Sequence, residues 1–283
     1  MDQSAFEQYV LSFGIFAQPA EVREYIAFHW RRFLRTLEVI PEGTGRLLEI
    51  GAAPFCMTLL LLARSRYDVE IINYGSSAFI ALSSATRGEH HEIPCAGINI
   101  ECEPFPYPDA HFDVVVCAEV IEHLTFCPSW MLYEIHRILR PGGTLVLTTP
   151  NAMRMFYRFE KARGAFHGQD IADVFSGYGP YGRHNRELTP AELRMLVEGT
   201  GFTVATFDVV DLDPQTETRA DREYMRVVSE VFGVPPEQQM RWRGEQMIVT
   251  ARPDRPRTLF LPAELYKSTH ALREAQKRFP MIP

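Results

Sequence analysis

One short run of the sequence carries three side chains that could do chemistry together. It reads Glu119-Val-Ile-Glu-His123, so two carboxylates and an imidazole recur at positions i, i+3 and i+4. On an α-helix this spacing places all three on one face. Carboxylate and imidazole groups bind divalent cations, so Glu119, Glu122 and His123 could form a metal site; alternatively they support the loop in which they lie. We take the second role, without a metal, as the prediction.

A second stretch has the composition of a ligand-binding turn. Leu47-Leu-Glu-Ile-Gly-Ala-Ala53 reads as a strand that runs into a turn of small residues, and a helix follows over Phe55–Arg64. Small residues let a ligand approach the backbone, and a helix N-terminus offers free N–H groups. In many α/β proteins the same arrangement only packs a helix against a strand, so a ligand-binding role and a packing role both stay open.

Two longer stretches add motifs in a fixed order. Glu101–Leu124 contains Pro-Phe-Pro-Tyr-Pro-Asp, Phe-Asp-Val-Val and Glu-Val-Ile-Glu-His-Leu, and Leu132–Asn151 contains Arg-Ile-Leu-Arg-Pro-Gly-Gly. With these runs, the chain resembles the class I S-adenosylmethionine-dependent methyltransferases over about residues 45–251. Residues 183–193 and 200–202 also look like that family.

The resemblance implies a site for S-adenosylmethionine at the carboxyl ends of the first strands. The turn after the first strand would hold the methionine moiety, the end of the second strand the ribose, and the region after the third strand the adenine. An asparagine stands where the family has the ribose-binding acid, which lowers the expected affinity. The implied cofactor-binding residues are Glu49, Gly51, Ala52, Ala53, Asn73, Tyr74, Asn99, Ile100, Glu101, Cys117 and Ala118.

The first motif also departs from the family pattern. Ala53 and Phe55 replace the second and third glycines of G-x-G-x-G, and Pro54 between them removes one N–H donor. A chain that no longer holds the cofactor and acts as a binding module therefore remains an alternative.

The segment 151–187 does not fit the strand and helix alternation around it, because it is rich in aromatic residues and glycine. The resemblance implies a lid over the substrate after the fifth strand; a packed aromatic cap is compatible with that role. Its His184 and His167 are candidate bases. The implied catalytic residues are His123, His184 and Glu119.

The elements that must position these residues follow from hydrophobic periodicity. Residues 5–40 predict two helices separated near Pro19, and apolar runs then alternate with amphipathic ones. Such alternation is typical of an α/β fold with a mostly parallel sheet. The predicted strands are Arg46–Ile50, Val69–Asn73, Ala96–Ile100, Phe112–Cys117, Thr144–Thr148, Phe202–Val210 and Gln246–Ala251.

The resemblance to the methyltransferases implies that this fold is a Rossmann-like, doubly wound sheet of seven strands, the last antiparallel. The predicted organisation is an N-terminal helical cap (1–44), a methyltransferase domain (45–251) with the lid insertion at about 151–187, and a C-terminal extension (252–283).

Composition narrows the class of partner. The 283 residues are 46% apolar and 23% charged, with a net charge of −7, which argues against binding along a nucleic-acid backbone or an anionic membrane. The longest apolar stretch is too short to cross a bilayer, and no secretory signal is recognisable at the N-terminus, so a cytoplasmic protein is expected. Five cysteines without a Cys-x-x-Cys pair indicate reduced, structural thiols.

The predicted function is methyl transfer from S-adenosylmethionine to a hydroxyl or amine of a small polar molecule, with a glycan or natural-product precursor as the first guess. The alternatives are another reaction on the same fold, such as a cyclisation, and the binding module named above. The oligomeric state is left open.

Overall fold

The computed structural model describes residues 1–16, 18–75, 78–154, 181–212, 219–235, 237, 239 and 243–260. Within them, one mixed sheet lies between two layers of helices. The strands are β1 (Thr44–Ile50), β2 (Arg66–Ile72), β3 (Phe79–Ser84), β4 (Glu89–Ala96), β5 (Phe112–Ala118), β6 (Leu139–Pro150), β7 (Thr203–Val210) and β8 (Gln246–Arg252). The helices are α1 (Gln3–Ser12), α2 (Pro19–Val39), α3 (Cys56–Arg64), α4 (Pro128–Ile138), α5 (Pro190–Gly199) and α6 (Arg219–Phe232).

The strand order is β3-β4-β2-β1-β5-β6-β8-β7. Strands β4, β2, β1, β5 and β6 are parallel, while β8 runs antiparallel to both of its neighbours. The Rossmann-like class and the antiparallel last strand are confirmed. The sheet has eight strands rather than seven, because β3 pairs antiparallel with β4 at one edge.

The predicted strand Ala96–Ile100 is wrong. The strand there is β4, which ends at Ala96, and the chain then turns around Asn99. The Asn99 side-chain oxygen accepts a hydrogen bond from the Glu101 N–H at 3.0 Å, and its carbonyl accepts from the Cys102 and Glu103 N–H groups. An asparagine that binds nearby backbone groups in this way favours a turn over a strand.

The helical layers bury the two sides of the sheet separately. Because side chains alternate along a strand, Leu47 packs under α1, α2 and α3, while its neighbour Leu48 packs under α4 and α5. Both are fully buried, and burial of one such side chain stabilises the fold by about 1.5–3 kcal/mol. The central strand β5 is buried on both sides, as parallel strands with two helical layers must be.

The N-terminal helices belong to the first of these layers. Pro19 begins α2, where its missing N–H is no loss, and the Phe6 ring of α1 stacks on Trp30 of α2 at 5.2 Å. This confirms the two predicted N-terminal helices. Their division from the rest of the chain at residue 44 stays a prediction.

The two predicted additions to the core are described only in part. Residues 155–180 of the lid insertion, with His167, and residues 261–283 of the C-terminal extension lie outside the described residues. The described start of the extension packs back on the core, since the Arg255 N–H donates to the Gly201 carbonyl at 3.1 Å. Among the described helices, none is long and apolar enough to span a membrane.

Candidate functional site

Two adjoining cavities open at the carboxyl edge of the sheet. A pocket of about 260 Å³ lies at the ends of β1 and β2, and a cleft of about 950 Å³ lies between β1, β5 and helix α2. Four residues line both cavities: Gly51, Ala53, Glu119 and His123. These residues mark the junction, and they follow β1 and β5 because the ends of parallel neighbouring strands meet at one edge.

Gly51 is required by the backbone at this junction. Its φ is +76°, and a Cβ atom there would lie 2.4 Å from Cγ2 of Val120. Its N–H donates to the Ile72 carbonyl at 2.9 Å, which ties the turn to the end of β2. The glycine is therefore needed for the turn whether or not a ligand passes over it.

The residues that replace the family's later glycines leave the turn intact. Phe55 takes a left-handed conformation with φ +68°, and its N–H donates to the Ala52 carbonyl at 2.6 Å. Ala52 and Ala53 both line the cleft. The turn thus keeps a small-residue surface towards the cleft despite its altered sequence.

Glu49 contributes a buried carboxyl group to the cleft. It is only 3% exposed, and the Thr58 hydroxyl of α3 donates to its Oε2 at 2.6 Å. Burial raises the pKa of Glu49 to about 8, and the Thr58 hydrogen bond opposes that rise. A cation bound in the cleft would favour the ionised form.

The smaller pocket collects several of the predicted cofactor residues. Asn73, Tyr74 and Ile100 line it, together with Tyr181 from the end of the lid insertion. The rings of Tyr74 and Tyr181 meet edge to face at 5.0 Å, and the Tyr181 hydroxyl donates to Oδ1 of Asn99 at 3.1 Å. Tyr181 is a pocket residue that the sequence interpretation missed.

The predicted adenine contacts Asn99 and Glu101 do not line either cavity. Glu101 is 1% exposed, and its carboxylate accepts hydrogen bonds from the Thr125 hydroxyl at 2.8 Å and the Phe126 N–H at 2.6 Å. This carboxylate therefore holds the loop after β5 rather than facing the pocket. Asn99 reaches the pocket wall only through Tyr181.

Cys117 also lies away from the cavities, contrary to its predicted role. It is buried in the core between sheet and α4, with Sγ 3.8 Å from Sδ of Met131. Adjacent residues of a strand face opposite sides, so Ala118 lines the cleft while Cys117 cannot. Burial raises the pKa of the Cys117 thiol, which keeps it protonated and unreactive.

Glu119 stands at the junction with its carboxylate held from three elements. Oε1 accepts from the Thr148 hydroxyl of β6 at 2.9 Å and from the Gln246 amide of β8 at 2.6 Å. Oε2 forms an ion pair with Arg32 of α2 at 2.7 Å. Arg32 and Gln246 are distant in sequence from Glu119, and no local pattern connected them to it.

The predicted single helical face of Glu119, Glu122 and His123 is wrong. Glu119 has a φ of +57°, and only a single 3₁₀ turn follows over Ile121–His123. This break in the backbone separates the two carboxylates. Glu119 faces the cavities, whereas Glu122 is fully buried and accepts from the Thr149 hydroxyl at 2.9 Å.

A different trio meets at the wall of the cleft, namely Glu122, His123 and His184, and both histidines line the cleft. Nε2 of His123 lies 3.9 Å, and Nε2 of His184 4.0 Å, from Oε1 of Glu122. Each ring is oriented through its other nitrogen: Nδ1 of His123 donates to the Arg183 carbonyl at 2.8 Å, and Nδ1 of His184 to the Glu187 carboxylate at 3.0 Å. In the neutral ring of His123, donation through Nδ1 leaves the lone pair on Nε2.

The three side chains are of the types that bind divalent metals, but their ligand atoms lie farther apart than those around a single bound ion. Oε1 of Glu122 is buried without a hydrogen-bond partner, as an oxygen intended for a metal would be. The three ligand atoms lie within 4.8 Å of one another, whereas tetrahedral ligands at about 2.1 Å from one ion are about 3.4 Å apart. His184, and not Glu119, is the third member among the described residues.

Burial shifts the pKa values of two members of the trio, Glu122 and His123. Desolvation raises the pKa of Glu122 well above its usual range, and the nearby Glu119 adds to that rise. Burial and the neighbouring His184 lower the pKa of His123. Burial thus favours the protonated form of Glu122 and the neutral form of His123.

Helix α2 forms the far wall of the cleft, which the sequence interpretation did not assign to the site. Tyr25, Phe28, His29, Arg32 and Thr36 line the cleft from one face of this helix. Their spacing of three and four residues could have indicated a shared face. It could not show that this face lies over the sheet edge.

The sequence comparisons agree with this architecture. A family model described as a methyltransferase domain matches residues 21–206, more than half of the chain. A probable S-adenosylmethionine-dependent methyltransferase of Mycolicibacterium smegmatis is 38% identical over 99 residues, which cover 35% of this chain and 32% of that protein. The ubiquinone biosynthesis O-methyltransferase of Rickettsia akari is 24% identical over 193 residues, or 68% of each chain.

The chain spans only about a quarter to a third of the first curated relatives it matches. Among solved structures, a SAM-dependent methyltransferase from Archaeoglobus fulgidus superposes with a TM-score of 0.50 at 15% identity, covering 81% of this chain and 99% of that one. The [4+2]-cyclase SpnF gives a TM-score of 0.50 at 17% identity, covering 80% and 81%. These two likenesses concern the fold. With the family match over residues 21–206 and the strand order described above, this chain belongs to the class I S-adenosylmethionine-dependent methyltransferases.

Proposed function

We propose that this protein transfers the methyl group of S-adenosylmethionine to a hydroxyl group of a small molecule, with His123 as the general base. The observation that carries the proposal is the position of His123. It lines both cavities, and its Nδ1 is fixed on the Arg183 carbonyl, so Nε2 is the atom free to accept a proton.

The two cavities suit the two halves of the cofactor. The pocket beside Asn73 and Tyr74 would take the adenosine, with the ribose at the end of β2. The methionine moiety would extend past Gly51 into the cleft, where the Glu49 carboxyl can pair with its ammonium group. The sulfur then falls at the junction beside Glu119 and His123.

The reaction at the junction is an in-line displacement. S-adenosylmethionine, when bound, would supply an electrophilic methyl group, and its transfer to the acceptor oxygen would break the carbon–sulfur bond and release a neutral thioether. The hydroxyl proton passes to Nε2 of His123. Because burial keeps His123 unprotonated near neutral pH, it is ready to accept that proton. Orientation of the two reactants in the cleft supplies much of the rate enhancement.

A hydroxyl acceptor fits the junction better than a protonated amine. An ammonium group would need a carboxylate, but the Glu119 carboxylate already receives three donors and the Glu122 carboxyl is fully buried. The name of the Rickettsia akari relative, an O-methyltransferase, points the same way.

The proposal is tested first by titrating the purified chain with S-adenosylmethionine and S-adenosylhomocysteine in a calorimeter, where we expect binding of both. Incubation with a panel of hydroxyl and amine acceptors should then give S-adenosylhomocysteine and a product heavier by one CH₂ group. Absence of cofactor binding would favour the binding module. A consumed acceptor of unchanged mass would favour a cyclisation, the reaction named for SpnF.

A further inference from the structure

The cleft is larger than the cofactor requires. The methionine half of S-adenosylmethionine is a small fragment, whereas cavities of roughly 300–1,000 Å³ hold complete drug-sized molecules. At about 950 Å³, the cleft has room for a second molecule of that size beside the methionine moiety. The wall opposite the sheet edge is helix α2, so the chemistry of this wall selects the second molecule.

That wall is aromatic. The His29 ring lies 4.4 Å from the Tyr25 ring and 4.8 Å from the Phe28 ring, and Phe33 is 6.1 Å away behind it. Phe28 is 81% exposed although it lines the cleft, whereas Phe33 is 4% exposed. A large aromatic side chain held open to a cleft is a surface on which a flat ring can pack.

The aromatic side chains of this wall are uncharged at physiological pH, since burial raises the pKa of Tyr25 to about 12. Burial, with Arg32 as a second cause, lowers the pKa of His29 to about 3, so its imidazole is neutral at physiological pH. Arg32 is engaged with Glu119 at 2.7 Å, and Arg31 donates to the Leu212 carbonyl at 2.8 Å. Within the described part of the chain, the ring nitrogens of His29 form no hydrogen bond, so one donor and one acceptor remain for a neutral polar group.

We propose that the face of α2 formed by Tyr25, Phe28 and His29 is the acceptor subsite, and that it binds a planar aromatic ring bearing an uncharged hydroxyl group. The ring packs on Phe28, and a polar group on the ring pairs with His29. The inference rests on the proposed function for the reaction itself, but it concerns a separate surface.

A sugar is a poorer fit to the same surface. Each buried hydroxyl group needs a hydrogen-bond partner, and an unmatched one weakens binding. The Thr36 hydroxyl on this face already donates to the Arg32 carbonyl at 2.9 Å, and the Arg32 guanidinium is paired. The face therefore has few groups for a ring that carries many hydroxyls, which revises our first guess of a glycan.

The test compares ligands that share a hydroxyl group but differ in ring chemistry. The probes are 2-naphthol, its saturated analogue decahydro-2-naphthol, and methyl glucoside, each added to the protein saturated with S-adenosylhomocysteine. Saturation-transfer NMR and calorimetry measure binding without turnover. We expect 2-naphthol to bind at least tenfold more tightly than the other two probes.

Substitutions of Phe28 test whether 2-naphthol binds at the face of α2. Phe28→Ala should weaken 2-naphthol at least tenfold, and Phe28→Tyr should retain its binding. Phe232→Ala is the matched control, because Phe232 is a 74% exposed phenylalanine on α6 that does not line either cavity. Affinity for S-adenosylhomocysteine should be the same in all three variants.

The inference is overturned if methyl glucoside or decahydro-2-naphthol binds as well as 2-naphthol, if no probe binds, or if Phe28→Ala leaves 2-naphthol binding unchanged. The proposed function fails by a different result, the loss of cofactor binding in the parent chain. Methylation of a sugar hydroxyl by the parent would sustain the proposed function and refute the aromatic subsite.

Discussion

The Arg32 guanidinium lies 2.7 Å from the Glu119 carboxylate, which joins helix α2 directly to the junction of the two cavities. Both side chains are largely buried, with 10% and 16% exposed. The N-terminal helices are therefore part of the site and not merely a support for it. This contact holds α2 against the junction, and with it the face that we propose as the acceptor subsite.

Removal of Arg32 should affect both stability and acceptor binding. In Arg32→Ala, Glu119 keeps Thr148 and Gln246 but loses its counter-charge, which we expect to lower the free energy of unfolding by about 1–3 kcal/mol. The matched control is Arg35→Ala, which removes the exposed Arg35–Glu38 pair of the same helix and should cost at most about 0.5 kcal/mol. Urea unfolding measures the free energy of unfolding of both variants. Equal losses would show that the Arg32–Glu119 pair is no more important than a surface pair.

Gly51 should tolerate neither alanine nor valine. A side chain there meets both the left-handed φ and Val120, so we expect a loss of stability of about 1–3 kcal/mol together with weaker cofactor binding. In the double variant Gly51→Ala/Val120→Ala the collision is relieved, and part of the stability should return. If Gly51→Ala is as stable as the parent and binds the cofactor equally, the turn is not constrained as described.

Glu49 should make stability depend on pH. Its pKa is raised from the ordinary value to about 8 in the folded chain, so between about pH 4.5 and 8 the unfolded chain releases a proton that the folded chain retains. The stabilisation is complete below pH 4.5 and is lost as pH rises towards 8, at roughly 1.4 kcal/mol per pH unit at most. Urea unfolding of the parent should show this decline relative to Glu49→Gln. Parallel curves for the two proteins would contradict it.

We expect turnover to survive chelation. The ligand atoms of Glu122, His123 and His184 are too widely spaced for one ion without rearrangement, and Arg32 already supplies a positive charge beside Glu119. Because burial favours the uncharged form of Glu122, Glu122→Gln should cost little stability, whereas Glu122→Ala leaves the Thr149 hydroxyl without its acceptor. Turnover lost in EDTA, with about one metal equivalent in the parent and none in Glu122→Ala, would instead establish a metal-dependent enzyme.

His123 should set the acid limb of the rate profile. Its pKa lies below the ordinary histidine value, so kcat/KM should rise with pH with a midpoint below about pH 6.5. His123→Ala should lose at least about 100-fold in kcat while cofactor affinity is retained. The comparison variant is Asn185→Ala, which removes the amide donating to the His123 carbonyl at 2.7 Å and leaves the imidazole in place. A similar loss in both variants would indicate that His123 acts only through the loop structure.

The sequence predicts those parts of the molecule that are encoded locally. The strand and turn around Gly51 and the run from Glu119 to His123 are contiguous, and the alternation of strands and helices shows directly in hydrophobic periodicity. The hairpin β3–β4 was not predicted because it lies at the edge of the sheet and because β4 begins with four polar residues, Glu89–Glu92. A search for period-two alternation around Ile93 could have found it.

Contacts between residues distant in the sequence explain the other differences between the predicted and the observed site. Nothing near Glu119 in the sequence points to Arg32, and the approach of His184 to Glu122 depends on how the chain returns after the lid insertion. The orientation of Cys117, in contrast, depends only on its own strand. Adjacent residues of a strand face opposite sides, so Cys117 cannot line the cleft when Ala118 does.

A crystal structure with bound S-adenosylhomocysteine tests the central claim most directly, because that claim places the cofactor across both cavities. We expect the adenosine beside Asn73 and Tyr74, the amino-acid group within hydrogen-bond reach of Glu49, and the sulfur at the junction between Glu119 and His123, with the face of Phe28 and His29 left open. A sulfur atom distant from His123, or a cofactor that lies along α2 instead, would contradict the assignment of the two cavities.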